Sequence, residues 1–302
     1  MLHMKFVLTF CLLTVSSFAF GQTNEAPRFS FPRWGPSIKA GSVYNFETDM
    51  EGGGSFDVNR YFMEVGMARM WAFDRMVAVS AGYGQDDYRF SGLGTEPWNN
   101  IDNYRLGLFA RWALDEKWVL FAGPSLRSYG EAGTDLDDAL VGTFFGGVSY
   151  RFGDRLTLGP AFLAAGQIEE NTQYFPVLLV NWNITEKLSL ETGGGFAATA
   201  GPGLSMVYDY SKKWKFSITT RYEDKRFRLN GEGLAKNGVG EDRNIPIIGT
   251  IGYFFYPSGH ISAIIGYNFD GKLSADDERG QNIYQREYDA TPSMGLITSF
   301  RF

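Results

Sequence analysis

The amino-acid sequence predicts an all-β fold, an antiparallel up-and-down transmembrane β-barrel of about 14 strands, with about 12 as the alternative count. Apolar and polar residues alternate with period two over runs of about ten residues, as the two faces of a strand require. Short polar turns alternate with long loops along the chain. Aromatic residues form 16% of the chain, and 37 residues are glycine. These features are typical of strands that have one lipid-facing and one polar face.

Residues 1–21 are predicted to be a cleaved signal peptide. A short basic start precedes an apolar run over residues 6–18, and small residues flank a cleavage site after Gly21. This run is shorter than the roughly 20 apolar residues that cross a bilayer as a helix. Cys11 lies within it, so the mature chain has no cysteine for a disulfide or a thiolate metal site.

The chain is therefore expected to reach the outer membrane of a Gram-negative bacterium by export. Its predicted divisions are the signal peptide (1–21), an N-terminal periplasmic segment (22–36) and the transmembrane β-barrel (37–302).

Residues 104–114 show the alternation clearly. Tyr104, Leu106 and Leu108 belong to one face, and Arg105, Gly107 and Phe109 belong to the other. A helical spacing would scatter these two sets around a cylinder, whereas a strand separates them. The same alternation predicts strands over further segments, including 156–164, 174–184 and 214–223.

The turns set the strand count and the orientation. Short polar turns are predicted at 73–75, 115–117, 153–155, 185–187, 211–213 and 256–259, with longer loops such as 85–99, 130–138, 230–243 and 270–282 between them. Together with a first strand near 37–46 and a last strand ending at Phe302, the turns give fourteen strands. An even count places both chain ends on the periplasmic side, where the short turns lie. Prolines at 124, 160 and 176 predict bulges or strand starts.

Five tryptophans share a position near the short turns. Indole rings favour the membrane interface, so these residues predict an aromatic girdle. The alternative is five separate core tryptophans in an exported soluble β-sandwich. The five are Trp71, Trp112, Trp118, Trp182 and Trp214.

Charged residues are predicted to line the barrel lumen. An Arg or Lys that faces lipid at mid-bilayer costs about 2–4 kcal/mol, so their side chains should point inward. These charged side chains either form ion pairs with one another that fill the lumen, or they line a water-filled pore with a mild anion preference. The candidates are Glu64, Arg105, Arg111, Arg127, Arg151, Glu191, Asp209, Lys215, Arg221, Glu223 and Arg301.

The sequence offers little support for catalysis. His260, the one histidine of the mature chain, shares a strand face with Ser262, but the pair adjoins a predicted periplasmic turn. The acidic stretches 135–138 and 276–278 have clustered carboxylates that could attract divalent cations, but neither matches an EF-hand loop, and both are interpreted as solvated loops. No cofactor or metal is therefore expected. The net charge of −6 gives no electrostatic case for nucleic-acid binding.

The carboxy-terminus resembles the signal by which the barrel assembly machinery recognises outer-membrane barrels. The chain ends on Phe302, with Phe300 two residues earlier, although Ile297 replaces the glycine that the pattern usually has five residues before the end. Gly-Pro pairs at 123, 159 and 201, and the stretch 175–190, resemble barrel families that are known as domains of unknown function. This resemblance implies a porin-like fold and a location, with outer-membrane lipid and the assembly machinery as partners.

The predicted function is a non-enzymatic pore or transporter for small solutes with an Arg-rich lumen. The alternative is a closed structural or surface-binding barrel whose long loops contact ligands. The solute and the oligomeric state stay open.

We expect removal of Phe302 to impair assembly, because it removes the terminal aromatic residue. Arg301→Ala should spare assembly, because its side chain is predicted to face the lumen. The amount of heat-modifiable, folded barrel in outer-membrane fractions measures both effects. Equal loss in the two variants would contradict a specific role for Phe302.

Overall fold

The computed structural model of the chain describes residues 32–72, 74–192, 203–255 and 259–302. The predicted signal peptide and residues 22–31, Gly201-Pro202 and part of the turn at 256–259 lie outside the described residues. Within the described ranges, no helix is long and apolar enough to cross a membrane. The strands are β1 (Arg33–Asp49), β2 (Ser55–Ala72), β3 (Arg75–Ser91), β4 (Ile101–Ala113), β5 (Trp118–Glu131), β6 (Leu140–Phe152), β7 (Leu156–Gln167), β8 (Glu170–Asn183), β9 (Leu188–Thr192), β10 (Gly203–Asp209), β11 (Trp214–Arg221), β12 (Glu223–Arg228), β13 (Val239–Phe255), β14 (Gly259–Asp276), β15 (Asn282–Tyr288) and β16 (Thr291–Arg301).

The strands form one closed, antiparallel barrel wall. Strands β1 to β11 pair in chain order, β13 pairs with β11 and β14, and β16 pairs with both β14 and β1 to close the wall. Two strands are continuations: β12 prolongs β11 along β13, and β15 prolongs β16 along β14. The wall therefore has fourteen strands, which confirms the predicted fold class and excludes the β-sandwich alternative.

The outer face of the wall is apolar and ends in an aromatic girdle beside the short turns. We call this end of the barrel the turn end and the opposite end the loop end. All five predicted girdle tryptophans are 41–45% exposed, so none is a core residue. Two of the rings contact an aromatic ring on the paired strand: Trp118 lies 4.6 Å from Tyr150 and Trp214 lies 4.9 Å from Tyr253, between ring centroids.

The short turns predicted at 115–117, 153–155, 185–187 and 211–213 lie between described strands, as the sequence predicts, and the first of them is stabilised by a side chain. The backbone N–H groups of Trp118 and Lys117 both donate 2.7 Å hydrogen bonds to Asp115 Oδ1. These bonds stabilise the carboxylate and hold the pKa of Asp115 below its usual range. They also satisfy two N–H groups where the β4–β5 ladder ends.

At the loop end the strands are longer than predicted. β3 continues to Ser91, β5 to Glu131 and β14 to Asp276, so much of the predicted loops is strand. The extended segments form hydrogen bonds with the adjacent strands. Their polar composition predicted loops instead. The first strand also begins at Arg33 instead of Ser37, because the residues before Ser37 pair with the end of β2.

The prediction that prolines mark bulges or strand starts is wrong for Pro124, Pro160 and Pro176, which lie inside strands. The register of β6 and β7 is unchanged on either side of Pro160, but the pairing lapses opposite Val148. Proline has no N–H to donate there, and the wall tolerates one missing bond without shifting. Gly159 lets the two backbones come close, since a Cβ there would lie 2.0 Å from the Val148 carbonyl oxygen.

We expect Gly159→Ala to destabilise the barrel by about 1–3 kcal/mol, because the added methyl forces β6 and β7 apart. Gly142→Ala is the matched control on β6, since its nearest neighbour would be Leu126 at 4.0 Å. Urea unfolding of both variants in detergent compares their stabilities. Equal unfolding midpoints would contradict the close approach at Gly159.

Candidate functional site

An apolar cluster closes the inside of the barrel at the loop end, and we call it the loop-end plug. Most of its residues occupy inward positions of the strands, and Trp98, Leu229 and Ala235 reach it from the loops. The cluster comprises Met50, Phe56, Val58, Tyr88, Phe90, Trp98, Ile101, Tyr129, Phe227, Leu229, Ala235, Leu273, Ala275 and Tyr288.

Trp98 and Phe227 form the centre of the loop-end plug. They are 2% and 0% exposed, and their rings meet edge to face with centroids 5.1 Å apart. Tyr88 and Phe90 each lie 5.7 Å from Trp98, and Tyr129 lies 5.7 Å from Phe227. Such edge-to-face pairs add about 0.5–1.5 kcal/mol each beyond the area that they bury.

Phe227 reaches this position because residues 223–244, which we call the inserted hairpin, lean across the lumen. Arg228 of β12 pairs with Gly130 of β5, on the opposite side of the wall. The β13–β14 register shifts at Asp270, which has a positive φ of 53°, and such a bulge bends a strand. Arg226 Nε then donates to the carbonyl of Ile168 at 3.2 Å.

Beneath the loop-end plug, two aspartates gather charged and hydroxyl donors. Asp242, whose side chain is 0% exposed, accepts hydrogen bonds from Arg60 at 2.7 Å, Tyr88 at 2.7 Å and Tyr288 at 2.9 Å. We call the whole set the two-aspartate network; its members are Arg60, Asp86, Tyr88, Tyr129, Lys225, Asp242 and Tyr288.

Asp86 is the second centre of the two-aspartate network. It accepts from Tyr129 at 2.5 Å, Lys225 at 3.2 Å and Arg60 at 3.3 Å. The tyrosines therefore hold their rings in the loop-end plug and their hydroxyl groups in the network. Lys225 belongs to the inserted hairpin, so the network ties that hairpin to the barrel wall.

A cavity of about 140 Å³ lies in the mid-lumen beside the two-aspartate network. One row of residues crosses five neighbouring strands of its wall, with each residue the direct cross-strand partner of the next. The row is Lys39, Glu64, Gly82, Arg105 and Arg127. Arg221 and Glu223, which form a buried ion pair, line the cavity from the far side.

The eleven candidate lumen residues all lie on the inner face by strand alternation, but they do not form one site. Five line the cavity: Glu64, Arg105, Arg127, Arg221 and Glu223. Asp209 and Lys215 form an ion pair of 2.8 Å near the turn end, on the same inner face as Glu191. Arg111, Arg151 and Arg301 also lie near the turn end. The functional role of these residues stays a prediction.

Sequence reasoning missed the residues at the centre of the site. Asp86 and Asp242 fall in segments that were interpreted as loops, and Arg60, Lys39 and Lys225 were not selected at all. The signal that would have found Asp86 is the alternation itself, which continues through Tyr88 and Phe90 on the same face. No comparable signal shows that Asp242 lies beside Arg60.

His260 and Ser262 share the inner face near the turn end, as predicted. The imidazole stacks on the ring of Phe254, with centroids 4.9 Å apart, which is a packing contact. In the described part of the chain, no group of three or more residues is arranged to hold a metal ion.

Among solved structures, the fold is similar to that of the COG4313 outer membrane channel from Pseudomonas putida F1. The TM-score is 0.52 at 10% identity, and the match covers 92% of this chain and 100% of that chain. The P. putida toluene transporter TodX matches at a TM-score of 0.45 and 9% identity, with 90% of each chain covered. A Pseudomonas aeruginosa FadL homologue matches at 0.47 and 10%, again with 90% of each covered. Comparisons with family models and with curated proteins give no match.

The closed wall and the likeness to the COG4313 channel define the fold as that of a bacterial outer-membrane β-barrel. At 10% identity, the likeness extends to the fold alone. The finer resemblance to barrel families of unknown function stays a prediction, as do the assembly roles of Phe300 and Phe302.

We expect Asp242→Ala to lower the free energy of unfolding by about 3–5 kcal/mol, because it leaves Arg60 and two tyrosine hydroxyls buried with a partner removed. Asp57→Ala is the control, since it removes a partner of Arg89 whose side chain is 56% exposed, and such pairs contribute about 1 kcal/mol or less. Equilibrium unfolding in detergent measures both. Equal losses would show that the two-aspartate network does not hold the loop end together.

Proposed function

We propose that this chain is a non-enzymatic outer-membrane channel for small solutes, closed at its extracellular end by the inserted hairpin. One observation carries the proposal: a charged cavity lies in the mid-lumen, below a plug that the chain builds from extended strands. Eight-stranded barrels fill with their own side chains, whereas sixteen-stranded porins stay open. A fourteen-stranded wall needs an inserted element to close it.

The outer surface supports the membrane location. Exposed aliphatic side chains such as Leu106, Leu108 and Ile218 form an apolar belt, and the tryptophan girdle borders it at the turn end. An apolar belt with an aromatic border matches the thickness and chemistry of a bilayer. We assign the turn end to the periplasm and expect assembly through the terminal aromatic residues after cleavage behind Gly21.

A closed barrel that binds partners through its loops is the second candidate. The observation that favours it is the tightness of the loop-end plug, in which Val58, Phe227 and Leu273 have no exposed surface. A solute cannot pass such packing unless the inserted hairpin moves. The two candidates therefore differ in whether removing this hairpin opens a conducting path.

We expect a barrel that lacks the inserted hairpin to conduct ions, whereas the wild type conducts little. In this variant Asn-Gly replaces residues 225–242 and joins the cross-strand partners Asp224 and Arg243, because Asn-Gly favours a two-residue hairpin turn. The matched control replaces residues 277–281 by Asn-Gly between the partners Asp276 and Asn282, at an exposed loop. Single-channel currents in planar bilayers compare the three proteins.

Conductance confined to the hairpin-deleted barrel supports a closed channel. Absence of conductance from that variant, when it is folded, overturns the channel and favours the closed binding barrel. If the deletion prevents folding, Phe227→Ala replaces it, because that change empties the centre of the loop-end plug without shortening the chain.

A further inference from the structure

Two arginines stand side by side in the wall of the mid-lumen cavity. Arg105 on β4 and Arg127 on β5 are direct cross-strand partners, and both side chains line the cavity. Inward residues that face each other in this way have Cβ atoms about 4.5–5.5 Å apart, and like charges in this position repel. Both guanidinium groups therefore contribute to the positive charge of the cavity.

Arg127 is incompletely satisfied by the protein. Its Nε atom is buried and has no hydrogen-bond partner in the described ranges. Its guanidinium lies 5.1 Å from the ring of Tyr129, a cation–π contact that holds it in place without using its N–H donors. This donor points to the cavity as the place where a water molecule or a ligand accepts its hydrogen bond.

The cavity as a whole carries excess positive charge. Six basic residues line it, Lys39, Arg60, Arg105, Arg127, Arg221 and Lys225, against four acidic residues, Glu64, Asp86, Glu223 and Asp224. Counting Asp242, the further partner of Arg60, still leaves six against five. The cavity therefore favours an anion over a cation or a neutral solute.

Another part of the cavity wall, formed by β13, β14, β1 and β2, is apolar. Val43, Phe62, Ile248 and Ile264 line it and belong to one packed cluster. The cavity volume is about 140 Å³, and apolar cavities of about 150 Å³ accept a molecule as large as benzene. The cavity thus presents both a pair of guanidinium groups and an apolar surface to a ring-sized ligand.

We propose that Arg105 and Arg127 bind the carboxylate of a small monocarboxylic acid whose apolar body packs on the Val43–Phe62–Ile248–Ile264 wall. Guanidinium groups suit carboxylates because their N–H donors form paired, charge-assisted hydrogen bonds. The proposal rests on the proposed channel, since it names the solute class that the lumen would accept.

The test uses radiolabelled benzoate in equilibrium dialysis with the folded, detergent-solubilised full chain at low ionic strength. Benzoate should bind, and Arg105→Gln and Arg127→Gln should each weaken binding at least about tenfold, because each removes charge-assisted hydrogen bonds. Arg89→Gln is the charge-matched control on the outer surface and should bind as the wild type does. Benzyl alcohol, which has the ring without the carboxylate, should compete at least about tenfold less well.

Each result decides the proposal. Failure of benzoate to bind the wild type, unchanged binding in both arginine variants, or equal competition by benzyl alcohol overturns it. Heat-modifiable migration verifies that each variant is folded, and Arg105→Gln serves alone if Arg127→Gln does not fold. A conducting hairpin-deleted barrel without benzoate binding overturns only the carboxylate site, whereas benzoate binding without conductance overturns only the channel.

Discussion

The structure depends on one constraint, which is that the backbone N–H and C=O groups of the wall must be paired within the protein. In lipid, each N–H and C=O must find a partner within the protein, so a strand sheet can cross a bilayer only when it closes on itself. Here β16 closes the wall onto β1, and the last residue adds a 2.9 Å bond from the Phe302 N–H to the Pro36 carbonyl. Closure with fourteen strands encloses a lumen wider than that of an eight-stranded barrel, which side chains fill, and narrower than that of a sixteen-stranded porin. The inserted hairpin, the loop-end plug and the two-aspartate network occupy part of that lumen.

The same constraint explains where irregularity is tolerated. Pro160 removes one ladder bond in the wall, and its neighbour Gly159 keeps the strands close enough that the pairing resumes in the same register. At Asp270, by contrast, the register does shift, and there the strands bend toward the lumen. A missing N–H donor leaves the direction of the strands unchanged, whereas the extra residue of a bulge bends the strand that carries it. The bulge at Asp270 thus lies where the chain leaves the cylinder of the wall.

The local part of the fold could be predicted from the sequence, and the long-range part could not. Alternation with period two identifies the strands and tells which side chains face inward, and the polar turns count the strands. It does not tell which strands face each other across the lumen. Asp242 contacts Arg60 only because the inserted hairpin leans across the lumen. Asp86 on β3 contacts Tyr129 on β5, although β4 lies between these two strands. Polar residues at strand ends were interpreted as solvated loops for the same reason, since composition alone does not distinguish a buried carboxylate from an exposed one.

Part of the two-aspartate network lies on the inserted hairpin and part lies on the wall, and this division suits an element that opens and closes. A buried ion pair contributes little net stability, because desolvation offsets much of its Coulomb attraction, yet losing one partner is costly. Lys225 and Asp242 lie on the inserted hairpin, while Asp86 and Arg60 lie on the wall. The hairpin therefore either docks with all these bonds formed or moves away far enough for water to solvate every charge. Intermediate positions, with charges neither paired nor hydrated, are the least stable. Such a network separates a closed from an open state, whereas apolar packing alone would allow the hairpin to loosen by degrees.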